Sequence, residues 1–383
     1  MPEKPSPMKT LGPSNARILI LSDYPSKTEF STKIPLSDWS GERFFSLWSS
    51  VGLMKNTTLV ASFLDEAPKD EEFKNVVSTR KTCPGPGWEW ISNAWASPAA
   101  VAAYDRLDGL LKRVQPSLVV TLGAAALWAL TGHTNPLTWR GSRLALPQNP
   151  FTIVPTLAPR ILLSSPENAI LIKSDLTRVK NIFEGTQTPR QYDFCIYPDF
   201  NTAIRWLDDL LKQAQKFPLL LSGDLETRNH NIACFGIADS PIRAICIPFL
   251  QSGKENPFPY TPTEEAFILD YIHRLFRHKN ITWVGQNFLY DCQYFDRFWL
   301  ASPINCRDTM IGHHAIHSNT RKGLDFLSSI YAHDHIYWKE DIDDWAPDIG
   351  ERQYWEYNCK DACITWEIWN EIHSLAQKME IAA

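Results

Sequence analysis

The feature that most constrains this chain is its regular alternation of short apolar runs with segments of helical spacing. Ala16–Ser22 is a strand-length apolar run that ends in turn residues. Gly41–Val51 has helical spacing, with Phe44, Phe45, Leu47 and Trp48 on or near one face. Leu59–Leu64 reads as a second strand and Pro98–Val114 as an amphipathic helix. Pro116–Gly123 is a strand that turns at Gly123 into a helix, Ala124–Leu130. Phe151–Pro155 is a further strand and Asp175–Phe183 a helix. Such alternation predicts a parallel sheet covered by helices. A chain of 383 residues exceeds one ordinary core, so two domains are expected. The polar stretch Gly185–Pro189 breaks the periodicity and marks the boundary. The expected organisation is a flexible terminus over 1–14, where Pro2, Pro5, Pro7 and Pro13 crowd together, then domains over 15–185 and 190–383.

The second half opens with a helix, Asn201–Gln215, and a strand, Phe217–Gly223. Cys234–Ala238 and Ala244–Pro248 read as an antiparallel pair. Thr263–His278 is helical, Ile281–Gly285 a strand and Leu289–Phe298 a helix. Arg352–Met379 is one long helical pattern. No internal repeat relates the two halves.

Three segments of this half carry chemistry. In Leu221–Thr227, Asp224 and Glu226 lie two apart at the end of an apolar strand, so both side chains point to one face. In Val284–Asp291, Asp291 stands at the start of a helix that follows a strand. In Tyr357–Asp361, a four-residue step places a phenol and a carboxylate on one side of a helix. Singly, Asp224 and Glu226 are compatible with a solvated strand end, and Asp291 with an acid favoured by a helix dipole. Four converging carboxylates, however, repel one another unless something positive sits among them. Two divalent ions about 4 Å apart are the usual answer in phosphodiester hydrolysis. Oxygen-only ligands favour Mg2+ or Mn2+ over zinc.

These segments resemble the three motifs of the DEDDy 3′–5′ exonucleases, and most closely the proofreading domain of family A DNA polymerases. The family's Asp-x-Glu-Thr is matched by Asp224, Glu226 and Thr227, its Asn-x-x-Tyr-Asp by Asn287, Tyr290 and Asp291, and its Tyr-x-x-x-Asp by Tyr357 and Asp361. Arg307–Met310 and Gly323–Leu327 also resemble family text. The resemblance runs over about 190–378 and implies an RNase H-like mixed sheet. It implies metal binding by Asp224, Glu226, Asp291 and Asp361, a water-orienting Tyr357, and contacts from Thr227, Gln286, Asn287 and Tyr290 to terminal nucleotides. A capping role for Asn287 and a packed ring for Tyr290 remain open. The implied substrate is a single-stranded or frayed 3′ DNA end. The implied partner is a family A polymerase, in trans or as a further C-terminal part, because no polymerase motif follows the third segment before Ala383. A non-catalytic DNA-binding or polymerase-docking subunit and an RNA 3′-processing nuclease are the alternatives.

The first half resembles the uracil-DNA glycosylase superfamily, especially its family 4 branch. The matching segments are Ser22–Glu29, Pro35–Gly41, Pro116–Ala126 and Pro155–Leu163. The implied fold is an α/β/α parallel sheet, and Asp23, Pro25, Glu29 and Ala158 fall in the implied pocket. Ala158 stands where the family has the histidine that stabilises the uracil anion. Loss of such a donor costs about 10²–10³ in rate, so little or no uracil excision is expected. Lys27, Arg43 and Arg140, with Trp39 or Trp139, are candidate strand contacts.

Composition narrows the partners. The net charge is −5, unlike a protein that coats nucleic acid, but compatible with an enzyme that holds a few nucleotides through cations. None of the eight cysteines lies in a Cys-x-x-Cys pair, and only Cys83 falls near the stretch where the glycosylase relatives hold an iron–sulfur cluster, so no cluster is expected. Reduced, mostly buried thiols, no membrane span and a cytoplasmic location are expected, in the host cytoplasm if the chain is phage-encoded, as its module order suggests.

Overall fold

The computed structural model describes residues 7–147, 149–252, 256–338 and 351–380. The chain forms two compact units, Met1–Thr188 with Asp334–Tyr337, and Pro189–His333 with Trp338–Ala383. No helix among the described residues is long and apolar enough to cross a membrane.

In the first unit the apolar run forms β1 (Ile18–Ser22), all five residues buried. The chain continues through α1 (Lys27–Thr32), α2 (Trp39–Ser50) and β2 (Thr58–Ser62). A capping box between Ser26 and Glu29 starts α1, and Asp38 caps α2. A small antiparallel sheet that the sequence pattern did not announce follows: β3 (Val77–Ser78), β4 (Glu89–Ile91) and β5 (Ala94–Ala96). Next comes α3 (Pro98–Val114), opened by a Ser97 cap and Pro98. β6 (Leu118–Leu122), α4 (Ala124–Thr131), α5 (Pro136–Trp139), β7 (Leu144–Ala145), β8 (Thr152–Thr156), α6 (Ile161–Ser164) and α7 (Ala169–Phe183) complete the unit. The main sheet has the order β2-β1-β6-β8-β7, parallel except for β7. This is the expected α/β architecture.

Two details depart from expectation. Met8 and Lys9 donate backbone hydrogen bonds to Asp65 Oδ1 and the Lys33 carbonyl, and Leu11 pairs with Val60, so the free terminus does not extend to these residues. Residues 1–6 lie outside the described residues. Asp334–Tyr337, far along the sequence, is counted with this first unit: Arg143 pairs with Asp334, and the Tyr337 N–H donates to Ser142 Oγ at 3.0 Å.

The second unit begins with β9 (Asp193–Ile196), α8 (Phe200–Ala214), β10 (Leu219–Arg228), β11 (Asn231–Ala238) and β12 (Arg243–Pro248). It continues through α9 (Pro262–Phe276), β13 (Ile281–Gly285) and α10 (Leu289–Tyr294), which runs into a π-helical turn, Phe295–Trp299. β14 (Cys306–Asp308), α11 (Thr309–Ile316), α12 (Leu324–Tyr331) and α13 (Glu351–Lys378) end it. The sheet has the order β14-β13-β10-β11-β12-β9. β10, β11 and β12 pair antiparallel, while β13, β14 and β9 add in parallel, which gives the expected mixed sheet.

Alternation along these strands divides the two faces by side-chain size. Leu221, Leu225, Phe235, Ile237, Ile245 and Ile247 pack with α8 and α9 residues on one face. The opposite face carries Cys234, Ala238, Ala244 and Cys246, which pack with Tyr354, Trp355, Cys359, Ala362 and Cys363 of α13. Small strand residues let α13 lie close to the sheet. Gly236 belongs to this close approach, because a Cβ there would fall 2.5 Å from Asn358 Oδ1. α13 is clipped to β10 by Ser222 Oγ to the Ala362 carbonyl at 2.6 Å and by Trp366 Nε1 to the Leu220 carbonyl at 3.0 Å.

Candidate active site

β10 does not end at the acidic residues, as the apolar run suggested, but continues to Arg228 because β11 pairs with it through a register shift at Glu226/Thr227. Ser222, Asp224 and Glu226 therefore share the face toward α13, while Leu225 enters the opposite core. Arg228 anchors the far end: it pairs with Glu351 at 2.6 Å and lies 4.3 Å over the Tyr354 ring, both in the first turn of α13. With α13 fixed at both ends of the strand, Asp361 meets the strand acids. Carboxylate oxygens of Asp224, Glu226 and Asp361 all lie within 4.8 Å of one another.

Asn358 and Trp338 donate hydrogen bonds to these acids. Asn358 Nδ2, fully buried, donates to the Asp224 carbonyl at 3.0 Å and to its Oδ2 at 2.8 Å. Trp338 Nε1 donates to Asp361 Oδ1 at 2.8 Å. The Tyr357 phenol lies beside Asp361, one turn along α13. Burial, then the charges of Asp361, Glu226 and Asp224, push this phenol above its ordinary range, so it stays protonated. Asp291, on the first turn of α10, is buried and accepts the Leu225 N–H at 2.9 Å. Burial and the neighbouring Asp224 hold its carboxyl well above the usual carboxylate range. It stands outside the three-carboxylate group but beside it. A cluster of carboxylate oxygens within 4.8 Å of one another suits a hard divalent cation.

The flanking residues divide. Thr227 Oγ1 lies 3.5 Å from the Tyr290 hydroxyl, and Tyr290 is 43% exposed. Gln286 is turned inward: its Nε2 donates to the Lys322 carbonyl at 2.7 Å and its Oε1 accepts from Thr309. Asn287 is exposed in a left-handed turn at φ 54°, its N–H and that of Phe288 donating to Asp308, which also caps α11. Asn358, Trp338 and Arg228 are the residues that sequence reading missed. Asn358 adjoins the Tyr357–Asp361 motif, but no spacing rule marks it, since its role depends on contact with a strand 134 residues away.

The glycosylase-like residues of the first unit are placed differently from one another. Glu29 and Ala158 line a cleft of about 390 Å³ together with Lys27, Asp38 and Arg160. Both Glu29 oxygens are engaged by backbone N–H groups, of Ser26 and Leu36. Asp23 serves α4 instead, accepting the Ala124 and Ala126 N–H groups at 3.0 and 2.8 Å. Burial raises its pKa to about 6 against the pull of those bonds and of Arg160. Gly123 makes room for it: at φ 99°, its Cβ would fall 2.1 Å from Asp23 Oδ2. Pro25 sits in the turn before α1 and does not line the cleft.

Two of the expected strand contacts are corrected. Arg140 is fully buried in a bidentate pair with Asp175, at 3.1 and 2.7 Å, and Thr156 supports the same carboxylate at 2.6 Å. Trp139 is buried and stacks on His133 at 3.6 Å between ring centroids. Trp39 remains exposed, with the Arg43 guanidinium 5.9 Å from its ring. Of the cysteines, Cys234, Cys246, Cys359 and Cys363 are buried, whereas Cys83 and Cys306 are exposed.

Comparison with known proteins accords with both resemblances. Residues 202–377 match the family model described as 3′–5′ exonuclease, and residues 9–181 match that of the uracil DNA glycosylase superfamily. Among solved structures, the chain is similar to the catalytic core of RRP6 from Trypanosoma brucei at 13% identity, over 49% of this chain and 48% of that one, with a TM-score of 0.38. It therefore spans about half the length of that protein. It is also similar to Brucella melitensis NrnC bound to pGG, at 16% identity, over 50% of this chain and 84% of that one, with a TM-score of 0.36. No curated protein matches the sequence.

Proposed function

We propose that this chain, a uracil DNA glycosylase superfamily domain followed by a 3′–5′ exonuclease domain, removes nucleotides one at a time from the 3′ end of DNA and so proofreads for a family A polymerase. The observation that carries the reading is the meeting of Asp224, Glu226 and Asp361 within 4.8 Å, with Asp291 beside Asp224 and the Tyr357 phenol beside Asp361.

In the proposed reaction a water attacks the terminal phosphorus, the bond to the 3′ oxygen of the preceding nucleotide breaks, and a nucleoside monophosphate leaves. Two bound Mg2+ or Mn2+ ions would lower the pKa of that water and neutralise charge on the leaving oxygen. Asp224, Glu226, Asp361 and Asp291 would hold them. Tyr357 keeps its proton, and its phenol oxygen would accept from the water and aim it. That division of labour is the DEDDy type. Thr227 and Tyr290, whose hydroxyls are 3.5 Å apart, would contact the terminal nucleotide. Gln286, whose amide is satisfied within the chain, would act on the turn that carries Asn287.

The first unit is proposed to have no uracil-excising activity. Ala158 offers the cleft no imidazole, and Asp23 is committed to α4. Incubation with uracil-containing DNA should leave no abasic sites.

The test is a 5′-labelled single-stranded oligodeoxynucleotide in Mg2+ or Mn2+. A stepwise ladder, abolished by chelator and by Asp224→Ala, is expected, with mismatched 3′ ends removed faster than paired ones. Faster degradation of the matching RNA would replace proofreading with RNA processing. No degradation in either metal would refute the enzyme reading.

A further inference from the structure

An aromatic stripe leaves the candidate active site along one side of α10. Tyr290, Tyr294 and Phe298 follow one another at four-residue intervals. The first two ring centroids are 5.0 Å apart, and the Tyr290 hydroxyl approaches that of Tyr294 at 3.4 Å. Tyr294 and Phe298 are stacked at 6.0 Å, with 13° between their planes.

Such a line is not the default outcome of helix geometry. In an α-helix a four-residue step overshoots one turn, so three such rings drift around the cylinder. Here the helix widens into a π turn at Phe295–Trp299, and the wider turn reduces that drift over the second step. The same turn sends Phe295 and Trp299 into the core, where they stack on each other at 5.1 Å, while Phe298 stays 38% exposed. The segment thus sorts its aromatics into a buried pair and an outward line. Tyr290 and Phe298 are exposed, while Tyr294 between them is half-buried against the core; the exposed rings gain less for the fold than the buried pair does.

The line is continuous with the site. Tyr290 reaches Thr227, the neighbour of Glu226 in sequence. At the far end the Arg297 guanidinium lies 5.2 Å from the centre of the Phe298 ring. Rings in series with a flanking cation are the elements by which proteins hold single-stranded nucleic acid without reading its sequence, the bases stacking and the cation meeting phosphate.

We infer that Tyr294 and Phe298 form a stacking track for the bases upstream of the 3′-terminal nucleotide of a single DNA strand. The track rests on the exonuclease reading of the neighbouring carboxylates and adds a substrate-length dependence to it. Contact with the terminal nucleotide alone would leave every oligonucleotide equivalent. A track makes longer strands bind more tightly until it is filled.

The test uses the full chain and oligothymidylates of two, four, six and ten nucleotides. Hydrolysis is followed in Mg2+, and equilibrium binding by fluorescence anisotropy in Ca2+. Phe298→Ala and Tyr294→Leu should raise KM for the longer oligomers about 5- to 150-fold, the range for loss of one base stack, with kcat unchanged and the dinucleotide unaffected. Phe298→Trp, which keeps a ring, should restore the long-oligomer KM. Replacing upstream bases by abasic linkers should weaken the wild type and weaken Phe298→Ala less, because only Tyr294 is left to stack on. Equal effects on all lengths, or none on any, would overturn the track. If the wild type binds with length dependence that Phe298→Ala reduces, yet hydrolyses nothing, the track stands and the exonuclease reading falls.

Discussion

Asn358→Ala separates a positioning role from a merely structural one. The substitution deletes the bonds to the Asp224 carbonyl at 3.0 Å and to its carboxylate at 2.8 Å. A hydrogen bond to a charged group contributes about 1.5–3 kcal/mol and a neutral one about 1 kcal/mol. The same change removes Asn358 Oδ1, a buried atom with no hydrogen-bond partner among the described residues, and so relieves a cost of about 1–3 kcal/mol. The net loss of stability should therefore be near 1 kcal/mol, small enough for the chain to stay folded. Catalysis should suffer more. Without its amide partner the Asp224 carboxylate is free to turn away from Glu226 and Asp361, and misplacement on the ångström scale costs about 10²-fold in rate. The assay pairs kcat on a labelled oligonucleotide with urea unfolding of the same preparation. Activity within about threefold of wild type would refute the positioning argument, as would a loss no greater than the unfolded fraction explains. Asn358→Asp should also be impaired, with partial recovery at higher Mg2+, since it adds a carboxylate to a crowded acidic site.

Gly236→Ala should copy Asn358→Ala without touching a polar group, because the new Cβ would sit 2.5 Å from Asn358 Oδ1 and displace the amide; wild-type kinetics would contradict the packing described. Mg2+ should raise the thermal unfolding temperature of the full chain, by the equivalent of about 2.7 kcal/mol at 100 times its dissociation constant, and Asp361→Ala should abolish the shift; an unresponsive wild type would refute the carboxylate cluster as a cation site. The two units should answer acid in opposite ways. Asp23 titrates near 6 when folded and at its ordinary 3.8 when unfolded, so its contribution to stability is greatest below 3.8 and falls by about 3 kcal/mol as pH rises to 6. His313, buried between Tyr331 and Thr320 at 2.7 and 2.6 Å, is held down to about 4 by burial and by His317 and Lys322 nearby, so its contribution is greatest above 6.5 and falls by about 3 kcal/mol as pH drops to 4. Urea midpoints measured from pH 4 to 7 should lose one slope in Asp23→Asn and the other in His313→Gln; unchanged profiles in both would refute these assignments.

Much of the fold is legible because its signals are local. α3 begins and ends where the Ser97-Pro98 start and the apolar spacing to Val114 place it. β13 is a five-residue apolar run, and Gly123 marks the turn from β6 to α4. Short elements escaped. β9 is a four-residue edge strand, and β3, β4 and β5 are two or three residues long, too short for any period to register. The end of β10 was misplaced because polarity, not pairing, was the cue, and only β11 reveals that the acids lie within a strand.

By itself the sequence determined the residue types at chain-local spacings: two acids one strand period apart, an acid opening a helix, and a phenol one helical turn before an acid. Those follow from the 2.0 and 3.6 periodicities, which need no partner to be read. Tertiary structure alone decided which of those groups meet. A strip of small residues on β11 and β12 admits α13 closely enough to bring Asp361 to Asp224 and Glu226 and to place Asn358 on Asp224. It also decided that Arg140, read as a surface cation, is the buried partner of Asp175. Both outcomes depend on burial and on pairings between residues distant in sequence, and no local periodicity encodes either.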